Sequence, residues 1–320
     1  MPAPPGTSFV VTCHDRGRFL DETVDSLLAQ TVQDFEIVVV NDGSTDPMTC
    51  RLLADYQRER TRVVHSERRG LPGARNLGVA RSRGRYLCMV DADDLLEPTY
   101  LERSLHALER QPELAFASHW LRTFGDEVVD WTPTDCSLPA LLHANTLNGA
   151  ALLRRDVFER IGGFDETFTD GCEDWEFWIR VVAAGHRGTI IPEFLFKYRR
   201  RADSMSRRMH GVPGMAALHR QLMARHPNVF AEHLDCLLER RDAEIASLST
   251  RLWRLQREWV ADVEPRLRWE RNRQALDPVA ELRRLHAALS REAGMNAELR
   301  ASWSWRLTAP LRAAVRWVRR

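Results

Sequence analysis

The stretch RYLCMVDADDLLEP, residues 85–98, runs from an apolar segment straight into acids. Tyr86 to Val90 is a five-residue hydrophobic run, too short for a helix and the right length for an interior strand. Beyond it stand Asp91, Asp93 and Asp94, with Glu97 close behind. In an extended chain, residues two apart point to one side, so Asp91 and Asp93 are expected to converge. Two such charges about 5 Å apart repel by roughly 3 kcal/mol at an effective dielectric near 20. Something cationic belongs there. The plainer alternative is an acidic strand-to-helix turn with Asp94 as a helix cap.

Further strands are expected at 8–12 (SFVVT), 35–40 (FEIVVV) and 62–65, and helices at 19–30, 47–60 and 73–82. In the first helix Leu20, Val24, Leu27 and Leu28 share a face. Strands alternating with helices imply a parallel α/β sheet with crossovers. Ligands of such sheets bind beyond the carboxyl ends of the strands. Here those ends read Thr12-Cys13-His14-Asp15, Asn41-Asp42-Gly43 and Asp91-Ala92-Asp93. Chance explains one polar edge; three favour a site.

The chain has 320 residues, 44% of them hydrophobic, enough for a large domain with an appendage or for two domains. A net charge of +1 argues against a general nucleic-acid binder. Six scattered cysteines without a C-x-x-C pair fit a reducing cytoplasm and disfavour a zinc site. The opening MPAPPGTSFVV lacks the basic and apolar regions of a signal peptide, and no window approaches 18 apolar residues. Export by that route and membrane spanning are therefore not expected.

After about residue 205 the texture changes. Leu234, Leu238, Ile245, Leu248, Leu252, Leu255 and Trp259 approach heptad spacing, interrupted at Arg241, which predicts a short coiled-coil segment at 234–259. A helix packed on its own catalytic domain is the alternative. A second amphipathic helix is expected after Pro278, with Leu282, Leu285, Leu289 and Leu299 on one side. The last twenty residues, ASWSWRLTAPLRAAVRWVRR, hold five arginines, three tryptophans and no acid. Leu311, Val315 and Val318 fall on one helical face and Arg312, Arg316 and Arg319 on another, a pattern suited to an anionic membrane surface. Docking on a partner protein is the rival. The expected organisation is a catalytic domain at 1–205, a helical region at 206–300 and a basic amphipathic tail at 301–320.

Four segments, FLDETVDSLLAQTVQDFEIVVVNDGSTD, GLPGARNLGVARSRGRYLCMVDADD, RRDVFERIGGFDE and EDWEFWIRVVAAG, stand in an order and spacing that resembles the family 2 glycosyltransferases. The resemblance covers about two-thirds of the chain. It implies the GT-A fold of inverting enzymes: a mostly parallel sheet flanked by helices, here with an α-helical C-terminal extension. The tail SWRLTAPLR also looks like one found after coiled coils in bacterial polysaccharide glycosyltransferases.

By the same resemblance, Asp93 matches the last acid of the family's D-x-D and is the expected ligand of a divalent cation, Mn²⁺ or Mg²⁺. Such hard ions take carboxylate oxygens. Asp91 would contact the ribose or support the metal, and Asp94 would act as a cap or in support. Asp42 resembles the family's nucleobase ligand, with an Asx-turn as its local alternative; Asp46 fits such a local role better. Thr12, His14 and Asp15 stand where the family has Pro, Tyr and Asn, so this sub-site is similar rather than identical; an imidazole can still stack on a base. Asp174 matches the catalytic base, which deprotonates an acceptor hydroxyl. Its neighbour Glu173 lies about 100° away around a helix, so only one of the two can face the sugar. Trp175 and Trp178 read as core more readily than as a sugar platform. In YRRRADSMS, Arg201 takes the place of a family His that can contact metal or phosphate. Arginine ligates no metal but grips a diphosphate through paired hydrogen bonds.

The resemblance implies a cytoplasmic-facing, metal-dependent inverting glycosyltransferase, peripheral on the inner face of the membrane. Its donor would be a nucleotide-diphosphate sugar and its acceptor a surface glycan or lipid-linked oligosaccharide. A homo-oligomer through the helical region is expected, and no nucleic-acid partner. Three rivals stay open: a polyprenyl-phosphate glycosyltransferase, a non-catalytic nucleotide-sugar-binding scaffold, and a nucleotidyltransferase, in which EDWEFW has no role.

Overall fold

The apolar run of the D-x-D segment forms strand β4 (Tyr86–Asp91), inserted beside the first strand rather than at a sheet edge. Strands β1 (Thr7–Cys13), β2 (Phe35–Asp42), β3 (Thr61–Ser66) and β4 are parallel, in the order β3-β2-β1-β4. The chain thus walks outward from β1 to β3 and returns to the other side of β1, which opens a crevice at the carboxyl ends of β1 and β4. Register places Thr12 opposite Asp91 and Cys13 opposite Asn41, so the three polar edges align. A computed structural model describes residues 4–168, 171–202, 212–259 and 261.

Helix α1 (Gly17–Leu28) buries Leu20, Val24 and Leu27 against the sheet. Helix α2 (Pro47–Ala54) is capped by Asp46, whose carboxylate accepts from the Thr49 backbone at 2.8 Å, and it ends before the expected residue 60. The cause is tertiary: the Tyr56 hydroxyl and Arg58 dock on Asp21 at 3.0 and 3.1 Å, drawing the chain onto α1. Helix α3 (Gly70–Ala80) lies on β1 and β2, close enough that a Cβ at Gly78 would stand 2.2 Å from Val10 Cγ1.

Beyond β4 the sheet is mixed. After β5 (Leu95–Leu96) and α4 (Tyr100–Arg110) come β6 (Leu114–Gly125), β7 (Asp130–Trp131), α5 (Leu138–His143), β8 (Leu152–Arg154), α6 (Arg155–Ile161), α7 (Glu173–Ala183) and β9 (Arg187–Arg200). Strand β8 joins β4 antiparallel and β6 joins β8 antiparallel, while β9 runs parallel to β6. The two-residue β5 pairs antiparallel with β9, Leu95 opposite Lys197, and so carries Arg199 and Arg201 to the D-x-D turn. All six cysteines are free thiols.

The chain divides into two units, residues 1–207 and 208–320. In the second, the described helices are α8 (Val212–Arg225), α9 (Pro227–Glu232) and α10 (Leu234–Glu258). The heptad-like segment is one continuous helix of 25 residues, none of them fully buried. The helix expected after Pro278 and the basic tail at 301–320 lie outside the described residues.

Candidate active site

The first polar edge is tied to the other two by hydrogen bonds. Thr12 Oγ1 donates to Asp91 Oδ1 at 3.0 Å across the β1–β4 pair. His14 Nδ1 donates to the Asp42 carbonyl at 2.8 Å, which leaves Nε2 as the acceptor for the guanidinium of Arg68. Asp42 is buried and its Oδ1 accepts from the Arg69 backbone at 2.6 Å, anchoring the turn into α3. Gly43 faces that turn at φ 60°, where a Cβ would stand 2.6 Å from the Arg68 nitrogen. Asp15, left-handed at φ 52°, accepts from the Thr45 and Asp46 backbones at 2.6 and 2.8 Å and clamps the NDGSTD loop. An Asp tolerates that backbone where most residues do not.

The two-residue periodicity behind the expected convergence of Asp91 and Asp93 does not run through Ala92. The strand ends at Asp91, and Ala92–Asp93 form a turn closed by Asp94 N donating to Asp91 O at 3.0 Å. Each acid has its own cation. Asp91 pairs with Arg75 at 3.1 Å, and Asp93 pairs with Arg201. Asp94 caps no helix; it is buried, and its Oδ1 accepts from the Arg199 backbone at 2.8 Å. Burial, with Asp91 nearby, pushes its carboxyl well above the usual range.

Arg75 is the residue that sequence reasoning missed. It is 4% exposed, on the buried face of α3 beside Ala74, Gly78 and Val79, and bridges Asp91 to Glu173. A charged residue on an otherwise small and apolar helix face was the available signal. Glu173 is buried and pairs with this arginine at the start of α7, and Asp174 beside it is half-buried. Burial and the adjacent Glu173 push the Asp174 carboxyl up to about 7, against the pull of Arg75. Such a group takes up and releases protons near neutrality. A Cβ at Gly149 would lie 3.4 Å from Arg75 Nη2 and 3.7 Å from Asp174 Oδ2, so anything larger than alanine would crowd the pair.

The tryptophans of α7 are core. Trp175 and Trp178 are buried, and their indole nitrogens donate to the Leu141 and Asn148 carbonyls at 2.6 and 3.3 Å. They fix the helix that presents Glu173 and Asp174. Among the described residues no three or more His, Cys, Asp or Glu side chains cluster as metal ligands.

The profile described as Glycosyl transferase family 2 matches residues 8–164, and that of Glycosyltransferase like family 2 matches 139–224. The chain belongs to glycosyl transferase family 2. Among its relatives, the succinoglycan biosynthesis protein ExoO of Rhizobium meliloti is 28% identical over 243 residues, 69% of each chain. Two solved structures share the fold. The mannosyltransferase PcManGT from Pyrobaculum calidifontis, in complex with GDP-Man and Mn²⁺, aligns with a TM-score of 0.59 at 20% identity, over 93% of this chain and 84% of its own. S. aureus TarS in complex with UDP-GlcNAc aligns at 0.57 and 19% identity over 72% of each chain. In this glycosyltransferase, β1, β2, β4, the β4–β5 turn, the end of β9 and the start of α7 supply the clustered polar residues.

Proposed function

We propose that this glycosyltransferase is metal-dependent and inverting, moving a sugar from a nucleotide-diphosphate donor to a hydroxyl of a surface glycan or lipid-linked oligosaccharide. One observation carries the reading: Asp174, with its carboxyl pushed up to about 7, follows Glu173, which Arg75 ties to Asp91 of the D-x-D segment. Asp174 would take the acceptor hydroxyl's proton as that oxygen attacks the anomeric carbon opposite the leaving diphosphate. Arg75 would hold Glu173 and Asp91 in place as that proton moves. Thr12, His14, Asp42 and Asp91 would form the nucleotide side of the site, and Arg201 the diphosphate side.

The donor set suits a hard cation. Asp93 offers carboxylate oxygens, and the guanidinium of Arg201 already stands on them as a cation of the chain's own. Mg²⁺-type sites commonly use one or two carboxylates plus substrate phosphates, so Asp93 suffices as the protein ligand. Bound there, Mn²⁺ or Mg²⁺ would offset the charge that grows on the leaving diphosphate.

The polysaccharide acceptor rests on the name of the ExoO relative and on the sequence of the tail. The solved neighbours hold UDP-GlcNAc and GDP-Man, so UDP and GDP sugars are the first donors to test. We assign residues 1–205 to catalysis, 206–300 to helical assembly, and 301–320 to docking at the inner membrane face. No described helix is long and apolar enough to cross a membrane.

A thermal-shift panel of UDP, GDP, dTDP and CMP sugars with Mn²⁺ identifies the donor class. With the matching donor, Asp93→Ala should abolish transfer and weaken nucleotide binding, and chelation of the wild type should reproduce both effects. Full activity in excess EDTA would rule out the metal role of Asp93.

A further inference from the structure

His14 stands where the family has tyrosine, and its ring does what a phenol cannot. Its Nδ1 donates to the Asp42 carbonyl at 2.8 Å, while its Nε2 accepts from the Arg68 guanidinium. A tyrosine has one polar atom and could not hold both. Arg68 is exposed, and its remaining guanidinium N–H groups meet no acceptor among the described residues. Asp15, whose Oδ2 lies 3.6 Å from His14 Nε2, is already engaged by Thr45 and Asp46. Asp42 complements this donor. It is 4% exposed, its Oδ1 accepts from the Arg69 backbone at 2.6 Å, and no donor among the described residues meets its Oδ2. A carboxylate oxygen so far withdrawn from water calls for a donor.

We propose that Arg68, held in place by His14, reads a carbonyl of the donor's base while Asp42 Oδ2 reads the ring N–H beside it. The site then takes a base that presents N–H next to C=O, namely uracil, thymine or guanine, and rejects cytosine and adenine. Arg68 is the specificity-determining group and His14 its positioning residue. The inference rests on the reading of His14 and Asp42 as the nucleotide side of the site.

Hydrogen-bond polarity decides the choice. An ionised carboxylate only accepts, and a guanidinium only donates. Uracil and guanine offer N–H to the first and C=O to the second. Cytosine and adenine carry the reverse pattern on the same edge. Their ring nitrogen would turn a lone pair on the carboxylate, and their amino group would meet the guanidinium. Both contacts fail together, and unpaired buried polar groups are what make such rejection strong. His14 makes the reading sharp. An exposed arginine has many rotamers, and its bond to the imidazole settles its place before the base arrives. Gly43 brings the two loops together, since a Cβ there would stand 2.6 Å from the Arg68 nitrogen. With both ring nitrogens engaged, His14 offers the base only its face.

The test is calorimetric titration of the full chain with UDP, CDP, GDP and ADP in Mn²⁺, with inorganic pyrophosphate as the base-free control. UDP is compared with CDP and GDP with ADP, so ring size and diphosphate cancel within each pair. In whichever pair binds, the keto base should be at least about tenfold tighter, the discrimination usual for a paired base contact. Arg68→Met should lose most of that ratio while pyrophosphate affinity stays unchanged. His14→Phe, which keeps a ring but no acceptor, should do the same through Arg68. Asp42→Asn keeps an oxygen for the Arg69 backbone and turns the open position into an amide donor. CDP or ADP should then gain affinity as UDP or GDP loses it, a gain that misfolding cannot produce. If wild type binds CDP as tightly as UDP and ADP as tightly as GDP, or if Arg68→Met keeps the wild-type ratio, the proposal falls and the nucleotide site stands. If no nucleotide binds more tightly than pyrophosphate, the nucleotide reading of His14 and Asp42 fails, and this proposal with it.

Discussion

Glu173 and Asp174 are neighbours on α7 with opposite assignments, because a helix turns about 100° per residue. Glu173 is spent on Arg75, while Asp174 Oδ1 accepts from the Trp175 backbone at 2.7 Å and its carboxyl sits near 7. Asp174→Asn should therefore lower kcat by about two to four orders of magnitude, the usual range for a general base, with nucleotide affinity nearly unchanged. The wild-type rate should rise with pH through about 7 as Asp174 deprotonates. The stability sign is opposite. A carboxyl raised in the folded state favours folding in acid, and that contribution is lost as pH rises through the folded value. The Asn variant should then melt above wild type at about pH 8 and lose that advantage in acid. Loss of nucleotide binding in the variant would move Asp174 to the donor site. At this scale the sequence was legible wherever a residue type sat in a recognisable segment, as for Asp91, Asp93 and Asp174. Arg75 was not, because its partners lie 16 and 98 residues away along the chain. Nothing in GLPGARNLG points to them. The periodicity argument for Asp91 and Asp93 has a local limit: strand alternation stops applying once the chain turns at Ala92.

Among the elements, β1 to β4, α1 and α3 follow from apolar runs and helical faces, and the structure places them within a few residues of expectation. Strand β9 was illegible because RGTIIPEFLFKYRR carries Pro192 and a half-buried, irregular pattern. That proline falls where the β6–β9 register slips, with His119 opposite Ile191 and Trp120 opposite Phe194, a bulge that spares the missing N–H. Helix α3 positions Arg75, so its seat on the sheet matters. Gly78→Ala would gain about 1 kcal/mol of intrinsic helix preference. Its Cβ would also stand 2.2 Å from Val10 Cγ1 and 3.0 Å from Val40 Cγ2. Overpacking of this kind costs typically about 1–3 kcal/mol. The clash should win, lowering the denaturant midpoint and reducing activity as Arg75 shifts. A variant as stable as wild type would mean that β1 and α3 separate without penalty.

For the whole molecule, α10 poses the question of a partner. It leaves Trp253 65% and Leu255 40% exposed. An isolated helix draws little stability from propensity alone and depends on burying an apolar face. The heptad-like spacing therefore predicts self-association through residues 234–259. Removing 234–320 should leave nucleotide binding intact, because every proposed donor-site residue precedes position 202. Light scattering should show a smaller assembly for the truncation than for the full chain. Equal assemblies would assign the stripe to packing within one chain. Removing only 301–320 separates assembly from location. Five arginines near an anionic leaflet contribute about 1 kcal/mol each when close to the surface, and three tryptophans add apolar burial. The shorter deletion should keep its oligomeric state, release the protein from anionic liposomes, and leave transfer to a soluble acceptor largely unchanged. Full-length binding should weaken as salt screens the attraction. If the full chain ignores anionic liposomes at low salt, the tail docks on protein instead.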